Sequence, residues 1–245
     1  MWKKGLFLYI LLALMLWSKN IQASYNVSYG IFGTVGTAKA YLHQSHKHYS
    51  IDIYLEATGI AKFLSQGRKE HHISKGHIVN GVMISDMYQV IQSYGDVMMT
   101  KTYSIDHKNK RVQKRYRKYL HTKLQEDTIR YLDFYAEDDL LTLYFNLKRL
   151  IPDTQKPHIY HFMAVGAERQ KGKVTLTIPP AKALPHYQKI LGDGASWYAL
   201  AMIHQKIFSS KDGELMLAIG DDGITNKAVL KDVIFFGDIR AVRTK

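Results

Sequence analysis

No cysteine occurs among the 245 residues. This excludes disulfides, thiol catalysis, cysteine-ligated metal and redox exchange, and it removes the residue at which a lipoprotein is acylated. The chain also lacks a Gly-x-Ser-x-Gly elbow, a His-Glu-x-x-His helix, a phosphate-binding glycine loop and a Ser-x-x-Lys pair, the local signatures of the common hydrolases and nucleotide enzymes. Its two Asp-Asp pairs, Asp138-Asp139 and Asp221-Asp222, are accounted for by a helix cap and a turn. The expectation is a protein without catalytic residues and without a cofactor or metal. Beyond the first 17 residues no stretch is long and apolar enough to span a bilayer, which takes roughly 20 apolar residues in a helix.

The first residues are a different matter. Met1-Trp2-Lys3-Lys4 precedes an apolar run from Gly5 to Trp17, closed by Ser18-Lys19-Asn20. A short basic region followed by about 7–15 apolar residues is the pattern of a secretory signal peptide. Ala23 offers the small residue at the cleavage point, which makes 1–23 the leader and 24–245 a single β-rich domain exported to the periplasm. Export without disulfides is ordinary in a bacterial envelope.

Formal net charge is +13, and Lys3, Lys4 and Lys19 belong to the leader. The rest is concentrated. Between Lys101 and Lys123 stand nine cations (Lys101, Lys108, Lys110, Arg111, Lys114, Arg115, Arg117, Lys118, Lys123) and one acid, Asp106. A single basic segment is a sharper clue to a partner than a diffusely high isoelectric point.

Along the exported region, Tyr25, Val27 and Tyr29, and then Tyr49, Ile51, Ile53 and Leu55, alternate with neighbours of the opposite face at period two, the mark of half-buried strands. Turns are expected at Gly33 to Gly36, His43 to Lys47, Gln66-Gly67, Asn80-Gly81 and His107 to Asn109. The period changes after Asp138-Asp139, where Leu140, Leu141, Leu143, Tyr144, Leu147, Leu150 and Ile151 recur at helical spacing, with an acidic cap before them, Lys148-Arg149 at the far end and Pro152 as a stop. Strands resume at His158 to Val165 and Lys173 to Ile178, joined through Gly166 to Gly172, and at Tyr198 to Phe208, Glu214 to Ile219 and Val233 to Val242. The fold class expected is mainly β, a curved antiparallel sheet or open β-barrel packed around one central helix.

Three stretches carry a resemblance. Tyr25-x-Val27-x-Tyr29-Gly30-Ile31 with Gly36, then Tyr49 to Gly59 ending Ala57-Thr58-Gly59, resemble the opening of the bacterial periplasmic "domain of unknown function 3108" family. Asp139-Leu140-Leu141-Thr142-Leu143-Tyr144-Phe145 resembles that family's central helix, and Glu214 to Gly237 its closing hairpin. The resemblance implies a β-rich exported protein and no established catalytic residues.

Lys110, Arg111, Lys114, Arg115, Tyr116, Arg117 and Lys118 are the candidate ligand-binding residues. As a strand this segment has cations on both faces, which suits a sheet edge. As a helix it has an apolar stripe of Val112, Tyr116 and Tyr119 or Leu120 between cations, the pattern of a membrane-surface helix. The spacing admits both. Either way, arginine and lysine interleaved with tyrosine suit anionic lipid or lipopolysaccharide through peripheral membrane contact, or an acidic envelope protein. Export argues against nucleic acid. The alternative for the segment is a solvated edge whose lysines block edge-to-edge pairing. The function expected is a non-enzymatic periplasmic binding or envelope-assembly factor, with a protein–protein interaction module and an unrecognised hydrolase as alternatives. His43, His46 and His48, and His71, His72 and His77, are read as turn and surface residues, since zinc needs three or four convergent ligands. Tyr144, Phe145, Phe162, Trp197, Tyr198 and Phe208 are core residues by default and would line a groove if the concave face were open.

Overall fold

The computed structural model describes residues 19–202, 213–233 and 237–245. The apolar run of the expected leader, the end of the expected Tyr198 to Phe208 strand with its groove candidate Phe208, and the start of the Val233 to Val242 strand lie wholly or partly outside the described residues.

Period-two patterning builds one long meander. β1 (Lys19–Tyr29), β2 (Thr34–Gln44), β3 (His48–Ala57), β4 (Lys69–Val79), β5 (Val82–Tyr94), β6 (Val97–Asp106), β7 (Arg111–Leu120) and β8 (Lys123–Tyr131) follow one another with short turns, interrupted only by helix α1 (Gly59–Leu64). A crossing segment then reaches the two-residue β9 (Asp138–Asp139) and helix α2 (Leu140–Leu150). β10 (His158–Val165), β11 (Lys173–Ile178), helix α3 (Leu184–Leu191), β12 (Trp197–Met202), β13 (Glu214–Ile219), β14 (Thr225–Val233) and β15 (Gly237–Arg243) complete the chain.

The fifteen strands of the described residues form one sheet in the order β8-β7-β6-β5-β4-β3-β2-β1-β15-β14-β13-β12-β11-β10-β9. The two halves are joined where the first strand pairs with the last, Tyr25 opposite Arg243 and Tyr29 opposite Ile239. Pairing is antiparallel throughout except between β9 and β10. The free ends of the sheet, β8 and β9, are stitched across by the crossing segment: Leu132 N donates to Val112 O at 2.9 Å and Ser85 N to Glu137 O at 3.2 Å. The result is a large, curved, open sheet of barrel-like form.

Several expectations are met and several are displaced. The hairpin of β10 and β11 pairs Tyr160 with Leu176, as its alternation predicts. Asn80-Gly81 makes the β4–β5 turn with both residues at positive φ, a conformation that glycine and asparagine adopt at least cost. Helix α2 begins after Asp139 and ends before Pro152. β1, however, starts at Lys19, with Lys19 opposite Gln44 and Ala23 opposite Ala40. The cleavage point expected after Ala23 therefore falls inside a paired strand, at a residue only 1% exposed.

Three elements escape the sequence reading. β8 is exposed at all nine residues, so no apolar alternation announces it. Helix α1, Gly59–Leu64, stands ahead of Gln66-Gly67, where only a turn was expected. Helix α3 covers the face of β12–β14 opposite to α2: Tyr187 and Leu191 pack on Tyr198, Met216, Ala218 and Val229, whereas Leu143 and Leu147 of α2 pack with Ala199, Ala201, Leu217 and Ile219. Strands covered on both faces need apolar residues at successive positions, which is why Trp197 to Met202 and Leu215 to Ile219 read as continuous apolar runs.

Candidate functional site

A buried polar cluster gathers at the start of helix α2. Its cap, Asp139, has no exposed surface. Oδ1 accepts from Leu141 N (2.8 Å) and Thr142 N (3.1 Å), and Oδ2 accepts from Ser74 Oγ (2.5 Å), Ser85 Oγ (2.6 Å) and Thr142 Oγ1 (2.9 Å). Tyr49 OH joins the cluster at 2.7 Å from Thr142 Oγ1. One turn on, Asn146 acts as a strand partner to β5: its Nδ2 donates to Met83 O at 2.8 Å and its Oδ1 accepts from Met83 N at 3.2 Å. Burial pushes the Asp139 carboxyl up from its ordinary value, and the surrounding donors oppose this. Neighbouring Asp138 is pushed up to about 7, chiefly by burial. Its Oδ1 is buried with no hydrogen-bond partner among the described residues.

Two cavities flank this helix. One, of about 580 Å³, lies between β1–β3 and β13–β15 at the N-terminal end of α2. Val27, Val35, Leu55, Leu140, Leu215, Ala228, Leu230 and Ile239 line it, with Glu56, Arg68 and Glu70 among its few polar neighbours. Arg68 and Glu70 are paired at 2.6 Å. A smaller chamber of about 150 Å³, walled by Tyr144, Leu147, Phe162 and Leu176, shares Leu140 and Leu215 with it. The other cavity, of about 890 Å³, lies at the C-terminal end of α2 and is bounded by the β2–β3, β4–β5 and β13–β14 turns.

The aromatic candidates divide accordingly. Tyr144 and Phe162 line the small chamber and Phe145 the large cavity. Trp197 belongs to the aliphatic core and Tyr198 to the cluster under α3. The concave side is therefore neither a filled core nor one open groove. It is hollow at both ends of α2, and the small chamber reaches Tyr144 and Leu147 in the middle of the helix.

The basic segment is a strand, which resolves the alternative of a surface helix, and it is second from the edge. β8 lies outside it and supplies acids. Arg115 reaches Asp127 with two bonds of 2.7 and 2.5 Å, and Arg117 shares the same carboxylate at 3.3 Å. Lys118 stands opposite Glu126 in register. Lys110 sits in the preceding turn at positive φ. Arg111 lies 3.8 Å from Asp106 and stacks over Tyr131 at 5.3 Å. Tyr116 is half-buried.

Lys114 points inward. Its side chain is 11% exposed and its Nζ is 2.5 Å from Glu168 Oε1. Burial lowers its pKa, and the Glu168 contact opposes that. Glu168, in the β10–β11 loop, also accepts from Tyr103 OH (2.5 Å) and Arg130 (2.6 Å). Burial would raise this carboxyl, but bonds from Lys114 and Tyr103 hold it below the usual range. Glu168 thus ties β6, β7 and β8 to the opposite end of the sheet. Sequence reasoning gathered the cations with Asp106 and missed Asp127 and Glu168, because the first lies on a strand it did not recognise and the second in a loop distant in the chain.

The histidines are distributed over separate partners: His43 with Asn20, His71 with Asp52, His72 with Glu70 and Tyr88, and His77 with Asp86. Among the described residues no three metal-ligating side chains converge.

No protein-family model matches the chain, and no curated protein matches its sequence. A fold likeness does exist. The crystal structure of a beta-barrel-like protein of domain of unknown function DUF1849 from Brucella abortus superposes with a TM-score of 0.52 at 10% identity, over 91% of this chain and 95% of that one. At that identity the likeness speaks for the fold alone.

Proposed function

We propose that this chain is a non-enzymatic binding protein of the bacterial envelope that houses the hydrocarbon part of an amphiphilic ligand. The observation that carries the reading is the 580 Å³ cavity at the N-terminal end of α2, aliphatic on almost every side. Its volume lies in the range of small-molecule sites, which are concave, mostly apolar and provided with few polar groups. A polar ligand gains little from such walls, and an acyl chain gains roughly 25 cal/mol for each Å² of apolar surface removed from water. In this reading the sheet curls around α2 as its central helix and holds the cavity open.

The leader at the N-terminus supports export, and the resemblance to the "domain of unknown function 3108" family supports a periplasmic setting. Lipid or lipopolysaccharide is the class of ligand these supports favour. The basic strand is a weaker candidate contact than its composition suggests, because Asp106, Asp127 and Glu168 already offset its charges. A second reading, an interaction module docking an envelope protein, rests on β8: an edge strand with Leu124, Ile129 and Tyr131 exposed can accept a partner strand.

The test is titration with cis-parinaric acid, whose fluorescence rises in an apolar site. Saturable binding is expected, with loss in Ala228→Phe, which fills the cavity, and no change in the paired variant Arg115→Gln/Arg117→Gln. Absence of binding to the folded protein would remove the first reading. Strand-mediated capture of an envelope protein, lost on substituting Thr128→Pro in β8, would favour the second.

A further inference from the structure

The 890 Å³ basin at the C-terminal end of α2 shares no lining residue with the aliphatic cavity. Its rim and its floor differ in chemistry. Lys19, Lys47, Lys148 and Arg149 stand at the rim, all exposed, drawn from β1, the β2–β3 turn and the last turn of α2. Below them lie Ile21, Leu42, Ile78, Met83, Phe145 and Ile224. Leu42, Met83 and Ile224 are buried there.

The cations are not neutralised from within. Among the described residues, none of the four has a carboxylate within 4 Å. Lys148 Nζ donates instead to Asp221 O at 2.7 Å. Asp222 is the lone acid in the lining, and it is held by Arg243 at 2.6 Å. This is the reverse of the basic strand, where Asp127 and Glu168 answer the cations.

The rim is also held in place. Ile78 N donates to Lys47 O at 2.8 Å, and Ser45 Oγ accepts from His48 N at 3.1 Å, which fixes the β2–β3 turn. The Arg149 guanidinium lies against Gly81, where a Cβ would stand 2.3 Å from its terminal nitrogen. Glycine at that turn is favoured by its positive φ, since the flexible tip of the arginine can give way to a Cβ.

We propose that this basin is a second binding site, for an anionic amphiphile: a phosphate- or carboxylate-bearing head at the cationic rim and an apolar portion on the floor beneath. Cations without a carboxylate partner leave their charge available to an anion, and the aliphatic floor gives hydrocarbon a place that free phosphate cannot use. Lys19 and Ile21 fall within the expected leader, so a chain that starts at Ser24 keeps the rim as Lys47, Lys148 and Arg149 and the floor without Ile21.

Calorimetric titration with dodecyl phosphate below its micelle concentration tests this. It is run on the Ala228→Phe chain, so that the aliphatic cavity of the preceding section takes no part and failure of that reading is seen separately. Saturable binding is expected, weakened at least tenfold by adding Lys47→Glu/Arg149→Glu and weakened by raising salt. Should Ala228→Phe fold poorly, the same double substitution in the unmodified chain lowers the stoichiometry by one. Inorganic phosphate and octyl glucoside, carrying head or apolar part alone, are expected to bind at least tenfold more weakly. Equal binding of inorganic phosphate would reduce the basin to a site for the free ion and overturn the proposal. So would equal binding of octyl glucoside, or indifference of dodecyl phosphate to the charge reversal.

Discussion

Helix α2 meets two different interiors. Toward β3–β5 it presents Thr142 and Asn146, which bond to Tyr49, Ser74 and the Met83 backbone. Toward β11–β13 it presents Leu143 and Leu147, which pack among Val174, Leu176, Ala199 and Leu217. The polar side fixes direction and register, since each hydroxyl and amide accepts only one arrangement of partners. The apolar side supplies area and tolerates a choice of shapes, which suits walls that must leave chambers open at either end. One helix can serve both because residues at i and i+4 share a face, so 142/146 and 143/147 form adjacent stripes.

The sharpest way to break this comparison is at the cap. Asp139→Ala removes the acceptor for two backbone amides and three hydroxyls. A lost cap together with buried donors left unpaired costs about 4 kcal/mol, to be read from urea unfolding. A loss below that of Leu147→Ala would show that the polar side is dispensable. Leu147→Ala itself is expected to cost about 3 kcal/mol through cavity formation, with the β4–β5 amides still protected from hydrogen exchange.

A third variant addresses the ends of the sheet. Glu168→Ala leaves Lys114 buried without its partner and frees β8 from the β10–β11 loop. The expected loss is about 2 kcal/mol, with faster exchange in β8 and unchanged exchange in β12 and β13. Uniform acceleration would show that the sheet opens as a whole.

The smallest expected effect is one of pH. Asp138 is pushed up to about 7 in the folded chain from an ordinary value of 3.8, so between those pH values the folded state holds a proton that the unfolded state has released. Stability from this group is full below about pH 4, falls as pH rises toward 7 and then levels. Asp138→Asn should therefore melt higher than the natural chain at pH 8, and the gap should close at pH 4. A gap independent of pH would mean that the unpartnered oxygen, and not its ionisation, sets the cost.

Much of this architecture was legible because local chemistry decides it. Asp139 as a cap, Pro152 as a stop, Asn80-Gly81 as a turn and the alternation of Tyr49 to Leu55 all act within a few residues. β8 was not legible: an edge strand exposed on both faces carries Lys123-Leu124-Gln125-Glu126-Asp127 in place of an apolar period. The basic segment was legible as charge and not as a site, since its free or paired state depends on Asp127 and Glu168, which pairing and curvature bring to it.

The sequence by itself determined that the chain is mainly β, that a capped helix interrupts the strands, and that no thiol chemistry is available, because these depend on periodicity, backbone preference and residue type. Only the tertiary structure decided which cations are already answered by acids and which are left open. Charges distant in sequence meet only when β1 closes on β15 and the turns gather at the end of α2. That closure pairs the densest basic segment, and leaves four scattered cations standing together over an apolar floor.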